Sequence, residues 1–221
     1  YFSGLEDKYP VKYQKQGSYV GGLFVFESKL TQEFRLHFDE KIAEMFQSIG
    51  IREGSVWIEV FHDGENYYFN EVGFRYGGSV SIYPVDYFYQ INQVAADIHY
   101  ALTGESCISE HTSLIRSTLP RKKYYCIYPV HINAGTISSI SGLDKIAQLE
   151  NIVYLATTKY LHDRIESSGS FSQVFALVHF VCNTTEECIQ TIDRIHQMLV
   201  VFDEHGNNMV NRMLDVGKII F

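Results

Sequence analysis

The chain has 221 residues, 46% of them hydrophobic, and a formal net charge of −8. That length and apolar content suffice for one large domain or two small ones. The negative charge argues against a nucleic-acid groove, which needs a positive field, and no apolar run approaches the ~18 residues needed to span a bilayer.

In chain order, residues 18–26 end in a strand-like run. Leu30, Phe34, Phe38, Ile42 and Phe46 then recur every four residues. They form the apolar stripe of a helix predicted from Ser28 to Ile49, with Gly50 at its C-terminal end. Gly54 to Arg75 reads as a β-hairpin around Asp63-Gly64. Pro84 opens a second helix with Asp86 in its first turn. Val85, Phe88, Ile91, Val94, Ile98 and Ala101 are its stripe, and Gly104 ends it. Residues 104–123 lack periodicity and read as a connector, and the basic run Arg121-Lys122-Lys123 within it reads as solvated. Residues 124–140 read as strands around an Asn133-Ala-Gly135 turn, followed by a helix at Leu143–Leu149, a strand at Ile152–Thr157 and a long strand over 171–182. Thr184 and Glu187 have capping-box spacing for a last helix, whose apolar face is Cys188, Ile192, Ile195 and Leu199.

Other residue types carry less. Cys107, Cys126, Cys182 and Cys188 form no Cys-x-x-Cys pair and read as free thiols of a reducing compartment, which suggests a cytoplasmic protein. Asn183-Thr-Thr185 matches a glycosylation sequon and reads as the start of a helix. The nine histidines show no ligand spacing and read as satisfied core or surface residues. The chain opens at Tyr1 in what reads as a strand, so its first residues are expected to continue a domain that begins upstream.

The hairpin holds the chemistry. Glu59 and Glu71 stand in otherwise apolar strands, and Arg75 follows. Burying a carboxylate without a partner is costly, so two acids and an arginine here suggest a metal or phosphate site. Strand side chains alternate faces. A two-residue turn at Asp63-Gly64 would send the acids to opposite faces. A loop of odd length, with Glu59 opposite Phe69 for example, puts them on one face as diagonal neighbours roughly 7–8 Å apart. An odd-length loop is therefore predicted, with Mg²⁺ between the acids. Asn70 is predicted to face away and is not counted as a ligand. Arg75 offers a fork for a carboxylate or phosphate, and Gly77-Gly78-Ser79 a backbone that an anion can approach. Tyr76 is placed at the substrate pocket. On spacing alone the alternative is a surface hairpin whose acids face water.

At these residues the segment resembles the C-terminal metal-binding hairpin of the ATP-grasp enzymes, among them biotin carboxylase, the large chain of carbamoyl-phosphate synthase and the L-amino-acid ligases. In that family two glutamates about a dozen residues apart bind Mg²⁺ that bridges ATP phosphates. The second opens a Glu-x-Asn-x-Arg motif, often followed by glycines. Glu59, Glu71, Arg75, Gly77 and Gly78 match, and Gly73 replaces the asparagine. The resemblance covers residues 1–104. Residues 124–210 are more loosely similar to the C-terminal domain of biotin carboxylase and the L-amino-acid ligases.

The resemblance implies an α+β fold: the C-terminal portion of an ATP-grasp domain over residues 1–120, an antiparallel sheet with helices, and a small α+β module over 121–221. It implies ATP with Mg²⁺ or Mn²⁺ on Glu59 and Glu71, nucleotide contacts from Arg75, Gly77 and Gly78, and Arg75 as the catalytic clamp. The implied reaction joins a small-molecule carboxylate to an amine through an acylphosphate. The implied partners are the missing N-terminal part of the same polypeptide and a second copy in a homodimer, with no nucleic acid and no membrane. The alternatives are activation of bicarbonate, as in carbamoyl-phosphate synthase or a carboxylase, and a non-catalytic nucleotide-binding scaffold.

Overall fold

The computed structural model describes residues 2–78, 81–108 and 123–221. Tyr1, Ser79, Arg121, Lys122 and most of the expected connector lie outside them. The chain divides into two compact units, Tyr1–Gly4 with Leu30–Leu119, and Leu5–Lys29 with Pro120–Phe221. This departs from the division at residue 120. Residues 5–29 belong with the C-terminal unit because their strands pair into its sheet.

In the first unit, α1 (Thr31–Ser48) is followed by the hairpin β3 (Trp57–His62) and β4 (Tyr67–Gly73), then by α2 (Ile82–Tyr89) and α3 (Gln93–Thr103). The α1 stripe works as its periodicity implies. Phe34 is 2% exposed and, with Phe38, packs against Tyr67 and Phe69 of β4 at ring separations of 5.3–6.1 Å. Such aromatic clusters combine large apolar burial with edge-to-face attraction. The single helix expected after Pro84 is two. Gln90 closes α2 in the left-handed conformation at φ 57°, and the Asn92 side chain caps α3 by accepting from the Ala95 N–H at 3.0 Å. Asparagine is among the best N-cap residues, and here that local bond wins over a continuous apolar stripe. Accordingly Val85 and Ile91 are buried while Ile98 is exposed.

The second unit is built on β1 (Glu6–Lys12), β2 (Tyr19–Phe26), β5 (Tyr124–His131), β7 (Ile152–Thr157) and β9 (Val174–Cys182), in the order β1-β2-β5-β9-β7, all pairs antiparallel. β9 reads Val-Phe-Ala-Leu-Val-His-Phe-Val-Cys and is buried along nearly its whole length. A run that is apolar at both parities marks a strand covered on both faces. A smaller sheet, β10-β6-β8, joins β6 (Gly135–Ser141), β8 (Arg164–Ile165) and β10 (Val200–Asp203). α4 (Leu143–Ala147) is short. α5 (Thr185–Met198) starts where the capping residues predict, with the Glu187 N–H donating to Thr184 Oγ1 at 3.2 Å. Cys188, Ile192, Ile195 and Leu199 are buried, all at 1% exposure or less.

Three buried histidines in this unit each pair with a tyrosine. Tyr13–His131 is 3.0 Å, Tyr125–His179 is 3.1 Å and Tyr128–His196 is 2.7 Å. Burial lowers His179 and His196 from the ordinary 6.5 to about 4. Each ring is therefore neutral in the folded chain where the unfolded chain would already be protonated. The stability this supplies is fully present above pH 6.5 and is lost as the pH falls toward 4, by a few kcal/mol per ring. Urea unfolding between about pH 7 and pH 4.5 should show that decline. Imidazole resonances of both rings should stay in their neutral positions at about pH 5.5, and a titration near 6.5 would contradict the assignment.

Candidate metal and nucleotide site

The site rests on the pairing of β3 with β4. Near the turn His62 faces Tyr67, Phe61 faces Tyr68 and Val60 faces Phe69. Residues 63–66 therefore form the loop, and its length is four, not the odd number expected. Asp63 organises it. Its Oδ1 accepts from the N–H groups of Glu65 at 2.9 Å and Asn66 at 2.8 Å, and its Oδ2 accepts from the Tyr68 hydroxyl at 2.9 Å. Those bonds to Asn66 and Glu65 hold the Asp63 carboxyl down at about 2.

With that loop alone, Asn70 would oppose Glu59, and Glu71 would follow Tyr67 and Phe69 onto the face that packs against α1. The structure prevents this with one extra residue. The register shifts between Glu59 and Val60, so that beyond Asn70 the pairs are Glu59–Glu71, Ile58–Val72 and Trp57–Gly73. A β-bulge of this kind leaves one residue unpaired and reverses the facing of all that follow it. The two acids are thus directly opposite, closer than the diagonal placement expected, with Cα atoms ~4.5–5.5 Å apart as for any opposed pair. Asn70 is not a bystander. Its Nδ2 donates to Glu59 Oε2 at 2.8 Å. Glu59 is half-buried and Glu71 exposed.

Trp57, the single tryptophan of the chain, lies on the same face two residues from Glu59. The Arg75 guanidinium stands 5.0 Å from the centre of its ring, and Arg75 Nη1 donates to the Tyr76 carbonyl at 2.8 Å. A cation over an indole face is attracted by the ring's negative quadrupole, which fixes where the arginine sits. Gly77 lies against the same indole. A methyl at Gly77 would come within 3.1 Å of Trp57 Cδ1. At Gly73 a methyl would meet Arg75 Cγ at 3.4 Å and Trp57 Cε3 at 3.5 Å, ordinary contacts, so a Cβ is accommodated there. Gly78 faces open space.

Tyr76 donates its hydroxyl to Asp97 Oδ2 at 2.5 Å, where Ser55 Oγ also donates at 3.2 Å. Burial, with the Asp97 carboxylate beside it, pushes the Tyr76 phenol up to about 12. It ties the segment after β4 to α3. A cavity of about 330 Å³ lies along α2 and α3, lined by Ile82, Tyr83, Asp86 and Gln93 among others, and neither acid borders it. Sequence reasoning missed the roles of Trp57 and Asn70. The unusual Asn-Glu step inside an apolar strand was the available signal for the bulge.

No protein-family model matches the sequence, and no curated protein matches it. Solved structures do match. An L-amino acid ligase from Bacillus licheniformis aligns over 92% of this chain and 53% of its own, with a TM-score of 0.68 and 20% identity. Phosphoribosylglycinamide synthetase from Anaerococcus prevotii aligns over 92% and 55%, at 0.64 and 14%. The biotin carboxylase domain of Hydrogenobacter thermophilus 2-oxoglutarate carboxylase, a dimer with MgADP and bicarbonate, aligns over 89% and 45%, at 0.60 and 13%. The chain thus has the ATP-grasp fold of these ligases and carboxylases, and spans about half the length of these three structures. The α+β class expected from sequence holds. No helix among the described residues is long and apolar enough to cross a membrane.

Because Trp57 is the single tryptophan, its fluorescence reports on this site alone. Arg75→Ala should shift the emission spectrum of Trp57 and make it more accessible to acrylamide, with less than about 1 kcal/mol lost in stability. Unchanged emission would mean that the arginine does not rest on the ring.

Proposed function

We propose that the chain carries the metal-and-phosphate side of an ATP-dependent ligase that joins a small carboxylic acid to an amine through an acylphosphate. The observation that carries this reading is the bulge at Asn70, which sets Glu59 directly against Glu71. Opposed like charges in a strand pair are destabilising, so the arrangement suits a cation between them. The two carboxylates fit the needs of Mg²⁺ or Mn²⁺, which takes few protein carboxylates and fills its remaining positions with phosphate and water oxygens. When bound, the metal offsets charge on the phosphoryl oxygens of ATP.

The chain's own residues have distinct parts in this reading. Glu59, held by the Asn70 amide, and Glu71 provide the metal's carboxylates. Arg75 is oriented by the Trp57 face and by its bond to the Tyr76 carbonyl, which leaves its other donors for a phosphate or carboxylate. Gly77 and Gly78 provide N–H groups without side chains that would hold an anion away. The remainder of the ATP-grasp domain would hold the adenine, and the protein is placed in the cytoplasm as a homodimer. The dimeric carboxylase domain among the structural relatives supports the last point.

Mn²⁺ should quench Trp57 fluorescence in the 221-residue chain, and Mg²⁺ should compete. Glu71→Gln should abolish quenching, and Asn70→Ala should weaken metal binding about 10-fold, as loss of a partner that orients a ligand typically does. Gly73→Asn should fold normally and bind more tightly. Metal binding that survives both Glu59→Gln and Glu71→Gln would sink the assignment. In the full-length protein, Mg²⁺-dependent ADP release screened across amino acids, other acids and bicarbonate identifies the substrate. Release with bicarbonate alone would favour a carboxylase-type reaction, and nucleotide binding without release a scaffold.

A further inference from the structure

The second unit contains a cluster that the proposed ligase chemistry does not use. Cys126 on β5, Cys182 at the end of β9 and Cys188 in the first turns of α5 bring their sulfurs together in the core. Cys126 Sγ is 3.6 Å from Cys182 Sγ and 3.9 Å from Cys188 Sγ, and all three sulfurs lie within 4.8 Å of one another. The three residues are 0%, 2% and 0% exposed. We propose that Cys126, Cys182 and Cys188 form a buried tris-thiol site for a trivalent thiophilic metalloid of the arsenic(III) hydroxide class.

Geometry sets the coordination number. An ion bonded to three sulfurs at about 2.3 Å holds them at most about 4 Å apart, so the two pairs that Cys126 makes already stand at ligand spacing and the third pair lies within 4.8 Å. Among the described residues no histidine or carboxylate completes a fourth position of the cluster. The nearby Tyr9 hydroxyl is committed to Ile220, donating to its carbonyl at 2.7 Å. Zn²⁺ in a closed structural site takes four ligands and is poorly served. Thiolates select soft ions, which leaves three-coordinate ones.

Charge chooses among those. The surroundings are apolar: Val178, Phe180, Ile192 and Val25 belong to the same core cluster. Hydrogen bonds from Cys126 and Cys188 hold the Cys182 thiol down at about 5, and the charged side chain that bears on it is Glu187, an anion. Burial drives the Cys126 thiol well above its ordinary value, so thiolate is costly at that position. Three thiolates around Cu⁺ would leave two net negative charges and around Zn²⁺ one, each expensive to bury beside a carboxylate. Around arsenic(III) the net charge is zero. The exchange is balanced and redox-neutral. Three S–H and three As–O bonds break, three As–S bonds form, and the protons leave with the hydroxyls as three molecules of water. No thiolate has to persist in the core before the bond forms. Because the sulfurs are buried, loading proceeds through local opening or during folding.

The test uses the 221-residue chain, both folded and refolded in the presence of sodium arsenite, followed by gel filtration. One arsenic per chain should be retained in the refolded sample, with slower loading of the folded one. Three thiols should become unreactive while exposed Cys107 stays reactive. X-ray absorption at the arsenic edge should show three sulfur neighbours and no oxygen. Cys107→Ser should change nothing, and Cys126→Ser, Cys182→Ser or Cys188→Ser should each lower retention at least 10-fold. If a serine variant does not fold, the sulfur count in the unaltered chain still decides. No retained arsenic, two sulfur neighbours instead of three, retention that depends on Cys107, or tighter retention of Cu⁺ or Zn²⁺ in parallel samples would each overturn the proposal.

Discussion

A strand shows alternate side chains to opposite faces, and everything at the candidate site depends on how that alternation is interrupted in β4. Tyr67 and Phe69 must face α1, because Phe34 and Phe38 pack on them. Glu71 follows Phe69 by two and would be carried onto the same packed face, where a carboxylate has no place. The unpaired Asn70 cancels this. It lets one strand send aromatic rings to a core at one end and an acid to the open face at the other. The parity rule that calls for an odd number of residues between the paired segments is obeyed. The odd count is reached by four loop residues plus one bulge residue, not by the loop alone.

The bulge also decides what the neighbouring residues do. Once Glu71 opposes Glu59, Gly73 opposes Trp57, and the indole lies open to Arg75. A flat aromatic surface then carries the cation of Arg75 on the strand pair that holds the two acids. A guanidinium paired with Glu59 or Glu71 would compete with a metal, whereas one resting on the indole does not. Asn70 serves twice, as the inserted residue and as the amide that orients Glu59. The side chain missing at Gly73 leaves space rather than strain, since a Cβ there would meet Arg75 and Trp57 only at ordinary contact distances.

The second unit follows a different logic. Its central strand β9 is apolar on both faces, so it must be flanked by strands and covered by helix, and β5, β7 and α5 supply that cover. β1 and β2 complete the sheet from far earlier in the chain, with Leu30–Leu119 of the first unit inserted in sequence between β2 and β5. The core this creates is deep enough to hold neutral histidines against tyrosines and three thiols at contact distance.

Much of this was legible in the residues. The α1 stripe, the Thr184 cap, the apolar β9 and the presence of Glu59 and Glu71 on the two strands of one hairpin follow from local periodicity and spacing, because such signals lie within a few turns or strand repeats. Their likeness to the ATP-grasp motif suggested the fold that the structural relatives share. Three things were not legible. The break at Gln90 and Asn92 hides under an apolar stripe that continues across it. The pairing of residues 5–29 with β5 joins segments separated by about a hundred positions, and no local pattern records such a partner. The bulge at Asn70 is set by the demand that Phe69 pack on α1 while Glu71 does not. The sequence by itself determined which elements form and which acids and thiols the chain possesses. Only the tertiary structure decided which of them meet, because facing and register are fixed by the surface each strand must bury, and that surface belongs to another part of the chain.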